Sequence, residues 1–544
     1  MMNELLLERY PDLAFLLKFS QGDKIKREAH FTLPVNLEKL EVIYVYGIGM
    51  GLHYKELKSW LHQKKERALV FLEDDMNCIA SFLNGPHARE ILQDRQAHIH
   101  FGINLDELVL SYPAKHIELV SAKKCPPTLA LKLYRKASSL NALFSEVLYY
   151  HKLLENLLPN IKRAPKAFFG NKLAGQFKNV PAVICGAGPS LASSIAALKT
   201  LENKALIFAG GSTLSALKAK GVTPHFGMAL DPNPEEYLRL EPAADIKIPF
   251  LYANRLLPSV FSLCSGPLGY LRTDTGGIFE SWMEEKLGIT EEAIGPDLGN
   301  EAFSVTTMQV AFATILGCSP IILTGVDLAF TGGKRYSEGV MEDSSVLLKK
   351  LSEETRVEER LIKKKGRKGH FVNTLVKWVM ESDAISAYAK KHKPTIYINA
   401  TEDGLGFKGV PFMPLQEAIS KYCHKTENFR GRVQSAIAKC PMRVSARQIE
   451  KLLEEVGKSL KICETLLEKI ILELETTRFL DSGKLLILRI DLEEEIAFDA
   501  LLQQIGPVLD KMTARLSHQP HLNREISKYK EMLTIVQHLN SVFI

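Results

Sequence analysis

Val183-Ile184-Cys185-Gly186-Ala187-Gly188-Pro189-Ser190-Leu191 decides the fold of this chain. A short apolar, β-prone run empties into a glycine-rich turn, and a Ser opens the next helix. Such a turn aims backbone N–H groups and a helix N-terminus at one spot, which suits a phosphate. Three later segments end strands on polar residues: Asp231-Pro232-Asn233, Gly325-Val326-Asp327 and Asn399-Ala400-Thr401-Glu402. Polar residues at strand ends are where open α/β sheets put their ligands. A dinucleotide is disfavoured. Leu191 stands where such cofactors want a third glycine, and the strand Ala205 to Ala209 runs into Gly210-Gly211-Ser212-Thr213 without a carboxylate for the ribose. A mononucleotide remains open.

At 544 residues the chain exceeds one core, and about three domains is the expectation. Its 46% hydrophobic and 24% charged residues describe an ordinary soluble globular protein. A net charge of +6 over this length gives a nucleic-acid role no support. The eight Cys are scattered without a C-x-x-C pair and read as reduced structural thiols of a cytoplasmic protein. Met1 to Tyr10 lacks the pattern of a signal peptide. Ser304 to Val326 carries no charge, but Gly317-Cys318-Ser319-Pro320 breaks it. It reads as a buried helix followed by a central strand, not a membrane span.

The expected organisation is an N-terminal Rossmann-like α/β domain at 1–125, a helical connector at 126–180, a central domain at 181–420 and a helical domain at 421–544. In the first, the strand Glu41 to Tyr46 leads into Gly47-Ile48-Gly49-Met50-Gly51, and a second strand ends on Glu73-Asp74-Asp75. A glycine turn followed by an acid suits a nucleoside. The favoured reading is a Rossmann-like fold kept as scaffold or docking surface. In the central domain, strands beginning near Ala182, Ala205, Phe226, Pro249, Ile321 and Thr395 alternate with helices, which predicts a largely parallel sheet. After Val444 apolar residues keep helical spacing. Lys349 to His370 carries nine Lys or Arg against four Glu. It reads either as a solvated face or as a mobile basic lid over an anionic substrate.

The central unit resembles the motility accessory factor (Maf) family, glycosyltransferase-like proteins linked to flagellin glycosylation. Gly186 to Leu191, Gly221-Val222-Thr223-Pro224, Leu230-Asp231-Pro232, Leu323 to Ala329 and Asn399 to Glu402 carry the resemblance, in that order. The same unit is similar to bacterial sialyltransferases, which use a cytidine monophosphate (CMP)-linked sugar. It shares the Gly-Ala-Gly-Pro-Ser-Leu turn with the archaeal pterin diphosphokinases, the MptE-like proteins. These resemblances imply a Rossmann-like, sialyltransferase-like central sheet and an inverting transfer of a nonulosonic acid from a nucleotide donor to a protein Ser or Thr hydroxyl. A flagellin-like acceptor is implied by the family alone.

The resemblance places the nucleotide on Gly186, Ala187, Gly188, Pro189, Ser190, Gly211, Ser212, Asp231, Asn233, Ser304, Asp327, Thr401 and Glu402. His370 is implied as general base, since a group titrating near neutrality is needed to take the acceptor's proton. Tyr336, with Lys334 nearby, is implied on the leaving phosphate, while Phe330 has no hydroxyl to give. Asp231 and Asp327 read as ligand-facing polar residues, with a magnesium pair as the minority reading. The diphosphokinase alternative wants three acids where Ala229-Leu230-Asp231-Pro232 offers one. A catalytically inactive interaction module is the remaining alternative. Nothing in the chain speaks to its oligomeric state.

Overall fold

The structure is a computed structural model. It describes residues 2–19, 36–148, 150–273, 277–298, 304–338, 340, 353–514 and 521–543. The chain divides into two compact units, one of residues 1–142 with 349–361 and one of 143–348 with 362–544.

The first unit holds a four-stranded parallel sheet of β1 (Val42–Tyr46), β2 (Ala68–Glu73), β3 (Ala97–Phe101) and β4 (Ile117–Ser121). Its order is β3-β2-β1-β4. Every residue of β1 and β2 is buried, as expected of parallel strands covered on both faces. Residues 353–361 pack onto this unit. Val357 is buried, the Thr355 hydroxyl lies 2.8 Å from His116 Nδ1, and Arg360 pairs with Glu118. That corrects the reading of a free lid for this stretch, because a loop with buried anchors is tied down. Residues 349–352 of the basic segment lie outside the described residues.

The second unit holds an eight-stranded sheet. Its strands are β5 (Phe168–Phe169), β6 (Ala182–Cys185), β7 (Leu206–Gly210), β8 (Phe226–Ala229), β9 (Phe250–Ala253), β10 (Leu268–Leu271), β11 (Ile321–Thr324) and, beyond a hairpin, β14 (Tyr397–Asn399). The order is β14-β11-β6-β7-β8-β9-β10-β5, all parallel. The fold is thus α/β, with a large parallel sheet, a smaller one and a helical C-terminal region. β5 and β10 are additions to the expected strands. The hairpin, β12 (Leu361–Lys365) and β13 (Phe371–Leu375), carries the rest of the basic segment.

The chain runs outward from β6 through β7, β8, β9 and β10, then returns to place β11 on the other flank of β6. The strand order therefore reverses beside β6, and the crevice beyond its carboxyl end is where such sheets bind ligands. The helices Ala446–Thr477, Gly483–Glu493 and His521–Phe543 bury Leu460, Leu485 and Val536 in the same apolar core as Tyr252 and Phe279 of the sheet side. Among the described residues no helix is long and apolar enough to cross a membrane, and the cysteines are free thiols.

Candidate functional site

A cavity of about 490 Å³ opens at the carboxyl ends of β6, β7, β8 and β11. Each strand delivers its turn to the wall: Gly186 to Gly188 after β6, Gly210 to Thr213 from β7, Leu230 to Asn233 after β8, and Gly325 to Ala329 after β11. Helix Val305–Ile315 meets it with Ser304, Val305 and Thr306 at its N-terminus. Helix Val376–Lys391 lends Lys377, Trp378 and Glu381, spaced to share one face.

The glycine-rich turn is held in a different way from the one expected. Gly186 N–H donates to Thr324 O at 2.8 Å, Gly188 N–H to Gly325 O at 2.8 Å, and Leu191 N–H back to Gly188 O at 3.0 Å. Ser190 donates its hydroxyl to Asp327 Oδ1 at 2.6 Å and its N–H to Oδ2 at 3.2 Å. These N–H groups are spent within the turn and on the end of β11 and the loop after it, so they do not form a free phosphate cradle. Gly188 is required for that close approach, since a Cβ there would overlap the Asp327 carboxylate and lie 2.7 Å from Gly325 O. A side chain at 188 therefore does not point into the cavity. It would enter the wall. Burial raises the Asp327 pKa, and the Ser190 hydrogen bonds pull against it.

Four cationic side chains take over the wall: Arg239, Arg255, Arg335 and Lys377. They face four carboxyl groups, those of Asp231, Glu236, Asp327 and Glu381. Burial pushes Glu236 and Glu381 up to about 7. At neutral pH part of the negative charge is therefore protonated away, leaving the cavity suited to an anion. Two helix N-termini, at Ser212 and Val305, add their dipoles. Helix Ser212–Ala219 starts there because Gly211 adopts φ 47°, ψ −131°, a conformation that essentially only glycine tolerates. The guanidinium of Arg335 lies over the Tyr336 ring at 5.1 Å and over Trp378 at 5.6 Å from the ring centres. That stacking holds a planar cation and a phenol side by side.

Of the residues singled out from sequence, Gly186, Ala187, Gly188, Gly211, Ser212, Asp231, Asn233, Ser304, Asp327 and Tyr336 line this one cavity. Ser190 stands behind it on Asp327. Pro189, Thr401 and Glu402 are not among the lining residues. Thr401 is buried and accepts from Val326 N–H at 3.0 Å, so it braces the loop after β11. Glu402 is exposed, and its carbonyl takes the Arg367 side chain. Lys334 is exposed as well, and its neighbour Arg335 fills the wall instead.

His370 lies in a second cavity, of about 410 Å³, with Phe330, Thr331, Lys363, Asn373 and Asp403. Its Nε2 is 3.5 Å from Asp403 Oδ1, and half of the side chain is exposed. The two cavities meet across an aromatic pair: Phe330 of the second and Trp378 of the first have ring centres 5.1 Å apart.

Both acids of the expected magnesium pair are hydrogen-bonded at the first cavity. Asp231 Oδ1 accepts from Asn233 N–H at 3.0 Å and Nδ2 at 2.7 Å, and its Oδ2 lies 3.2 Å from Arg239. Asp327 is committed to Ser190. Among the described residues no group of three or more His, Cys, Asp or Glu is placed to hold a metal ion. Sequence reasoning missed Arg239, Arg255, Arg335, Lys377, Trp378, Glu236 and Glu381. The signal for three of them was present: Lys377, Trp378 and Glu381 stand at helical spacing just after a strand.

Comparison with known proteins bears on the fold. Residues 155–333 match the family model described as 6-hydroxymethylpterin diphosphokinase MptE-like. No curated protein matches the chain. Among solved structures, a Maf glycosyltransferase from Magnetospirillum magneticum AMB-1 aligns over 99% of this chain and 94% of its own, with a TM-score of 0.51 and 13% identity. The chain therefore has the fold of that Maf structure, built around a segment that matches the MptE-like family.

Proposed function

We propose that this protein is a cytoplasmic glycosyltransferase that moves a nonulosonic acid from a CMP-linked donor to a Ser or Thr hydroxyl of a protein. The carrying observation is the cavity at the reversal of strand order, where four cations, Tyr336 and two helix N-termini surround one volume. A CMP-linked nonulosonic acid bears a phosphate and a carboxylate, and both need cationic partners. When the bond from the anomeric carbon to the phosphate oxygen breaks, its electron pair leaves on the phosphate. Arg335 and Tyr336 are the groups to receive that charge, without a metal. One such donor is worth roughly 10²–10³ in rate. The acceptor hydroxyl attacks from the opposite face and inverts the centre. A flagellin-like acceptor is part of this reading.

The match at 155–333 favours a second reading, an ATP-dependent diphosphokinase of the MptE-like kind. Diphosphoryl transfer relies on metal-held phosphates, and the commitments of Asp231 and Asp327 oppose it. A thermal-shift panel of CMP, a CMP-linked nonulosonic acid, ATP with magnesium and S-adenosylmethionine separates them. Stabilisation by the cytidine ligands alone, about 2.7 kcal/mol at a hundredfold excess over Kd, supports the transferase. Stabilisation by ATP with magnesium alone supports the kinase. An interaction module responds to none and retains a protein partner on purification.

A further inference from the structure

We infer that Glu236 is the catalytic base of the cavity, the group that takes the proton from the attacking hydroxyl. The inference rests on the transferase reading above. Glu236 belongs to helix Glu235–Leu240, is 2% exposed and lines the cavity. Its Oε1 is buried without a hydrogen-bond partner among the described residues. An orphaned buried carboxylate oxygen is costly unless a ligand supplies the missing donor.

Glycine at 211 leaves room beside that oxygen: a Cβ there would lie 3.4 Å from Glu236 Oε1 and 3.7 Å from Oε2. The other three acids of the cavity are engaged: Asp231 by Asn233, Asp327 by Ser190, and Glu381 by the Ser304 hydroxyl at 2.7 Å. His370 occupies the second cavity.

The charges around Glu236 poise it. Burial raises its pKa to about 7, Asp231 after β8 adds to the rise, and Arg239 on its own helix opposes it from 3.5 Å. The facing first turn of helix Ser212–Ala219 contributes only neutral Ser212, Thr213 and Ser215. Lys218, at the far end of that helix, donates to Ala244 O. Glu241 of the following turn is exposed, and Pro258–Leu263 carries no titratable side chain. A base that titrates near the working pH is the efficient one. In the step, the acceptor O–H gives its proton to Glu236 Oε1 as the new C–O bond forms. The old C–O bond leaves its electron pair on CMP, and Glu236 later returns the proton to water.

The test uses the full chain and CMP-N-acetylneuraminate, with water as acceptor and CMP release as the readout. Wild type should gain rate with pH through about 7. E236Q should release CMP about 100-fold more slowly, lose that pH limb, and bind CMP within twofold of wild type by calorimetry. E236D should keep a limb at a shifted pH. Full-rate E236Q, or a parallel loss of rate and CMP affinity, overturns the role of Glu236. So does H370A if it removes the limb while E236Q keeps it. A wild-type chain that binds no CMP overturns the transferase reading itself, and the base with it.

Discussion

Two glycine turns in this chain follow the same recipe and end differently. After β1, Gly47 to Gly51 leads into the helix Leu52–His62, and β2 ends on an acid. The space above that turn is filled. A Cβ at Gly47 would lie 2.9 Å from Lys123 Cγ and 3.4 Å from Ala122 Cβ. Glu73 accepts from Ile48 N–H at 3.1 Å and from Asp74 and Asp75 N–H at 3.0 Å, and Lys123 bridges it to Asp74. The acid that would hold a ribose is spent on its own loop. After β6 the turn is also tied down internally, yet arginines, a lysine and the Glu236 carboxyl line the space beside it. The lesson is that a strand–glycine–helix pattern marks a close approach of backbone, and side chains from distant elements decide whether a ligand enters.

The largest effect expected from this contrast is at Gly188. Gly188→Val should destabilise the chain by about 4 kcal/mol, through overpacking plus the displaced Asp327–Ser190 hydrogen bonds. Thermal melting measures it. Normal stability with lost CMP binding would instead place the side chain in the ligand's space.

Glu381 sharpens the contrast by pH. Its pKa is raised from 4.5 to about 7 by burial, so the protonated form favours the fold. That stability is fully present below about pH 4.5 and is lost as pH rises through 7. Glu381→Gln should therefore match wild type at pH 4.5 and exceed it by about 3 kcal/mol above pH 8. Denaturant melts at the two pH values check this, and a pH-independent difference would contradict it.

The smallest effect belongs to the filled turn. Lys123→Met should cost about 1–2 kcal/mol, since Glu73 is buried but Lys123 is partly exposed. CMP affinity should stay unchanged in calorimetry. A loss of affinity would mean that the N-terminal turn takes part in binding.

Much of the fold was legible because parallel strands buried on both faces write themselves as apolar runs between glycine turns. β5 and β10 escaped for a local reason: one is two residues long, and the other is the four-residue Leu268-Gly269-Tyr270-Leu271 just after a proline. The glycine and aspartate lining of the cavity was legible because it lies at strand ends. Arg239, Arg255 and Arg335 were not, since single arginines on helices and loops reach the cavity only through the packing of those elements. His370 was singled out by residue type and order along the chain. Its distance from the glycine-rich turn after β6 depends on a hairpin whose placement no local pattern encodes.

Hydrogen–deuterium exchange with and without CMP tests the central claim most directly, because it reports on both turns in one experiment. The account predicts protection at 211–213, 231–239, 304–306, 335–336 and 377–381, with exchange at 47–51 and 73–75 unchanged. Protection at the N-terminal turn, or none around the cavity, would contradict it.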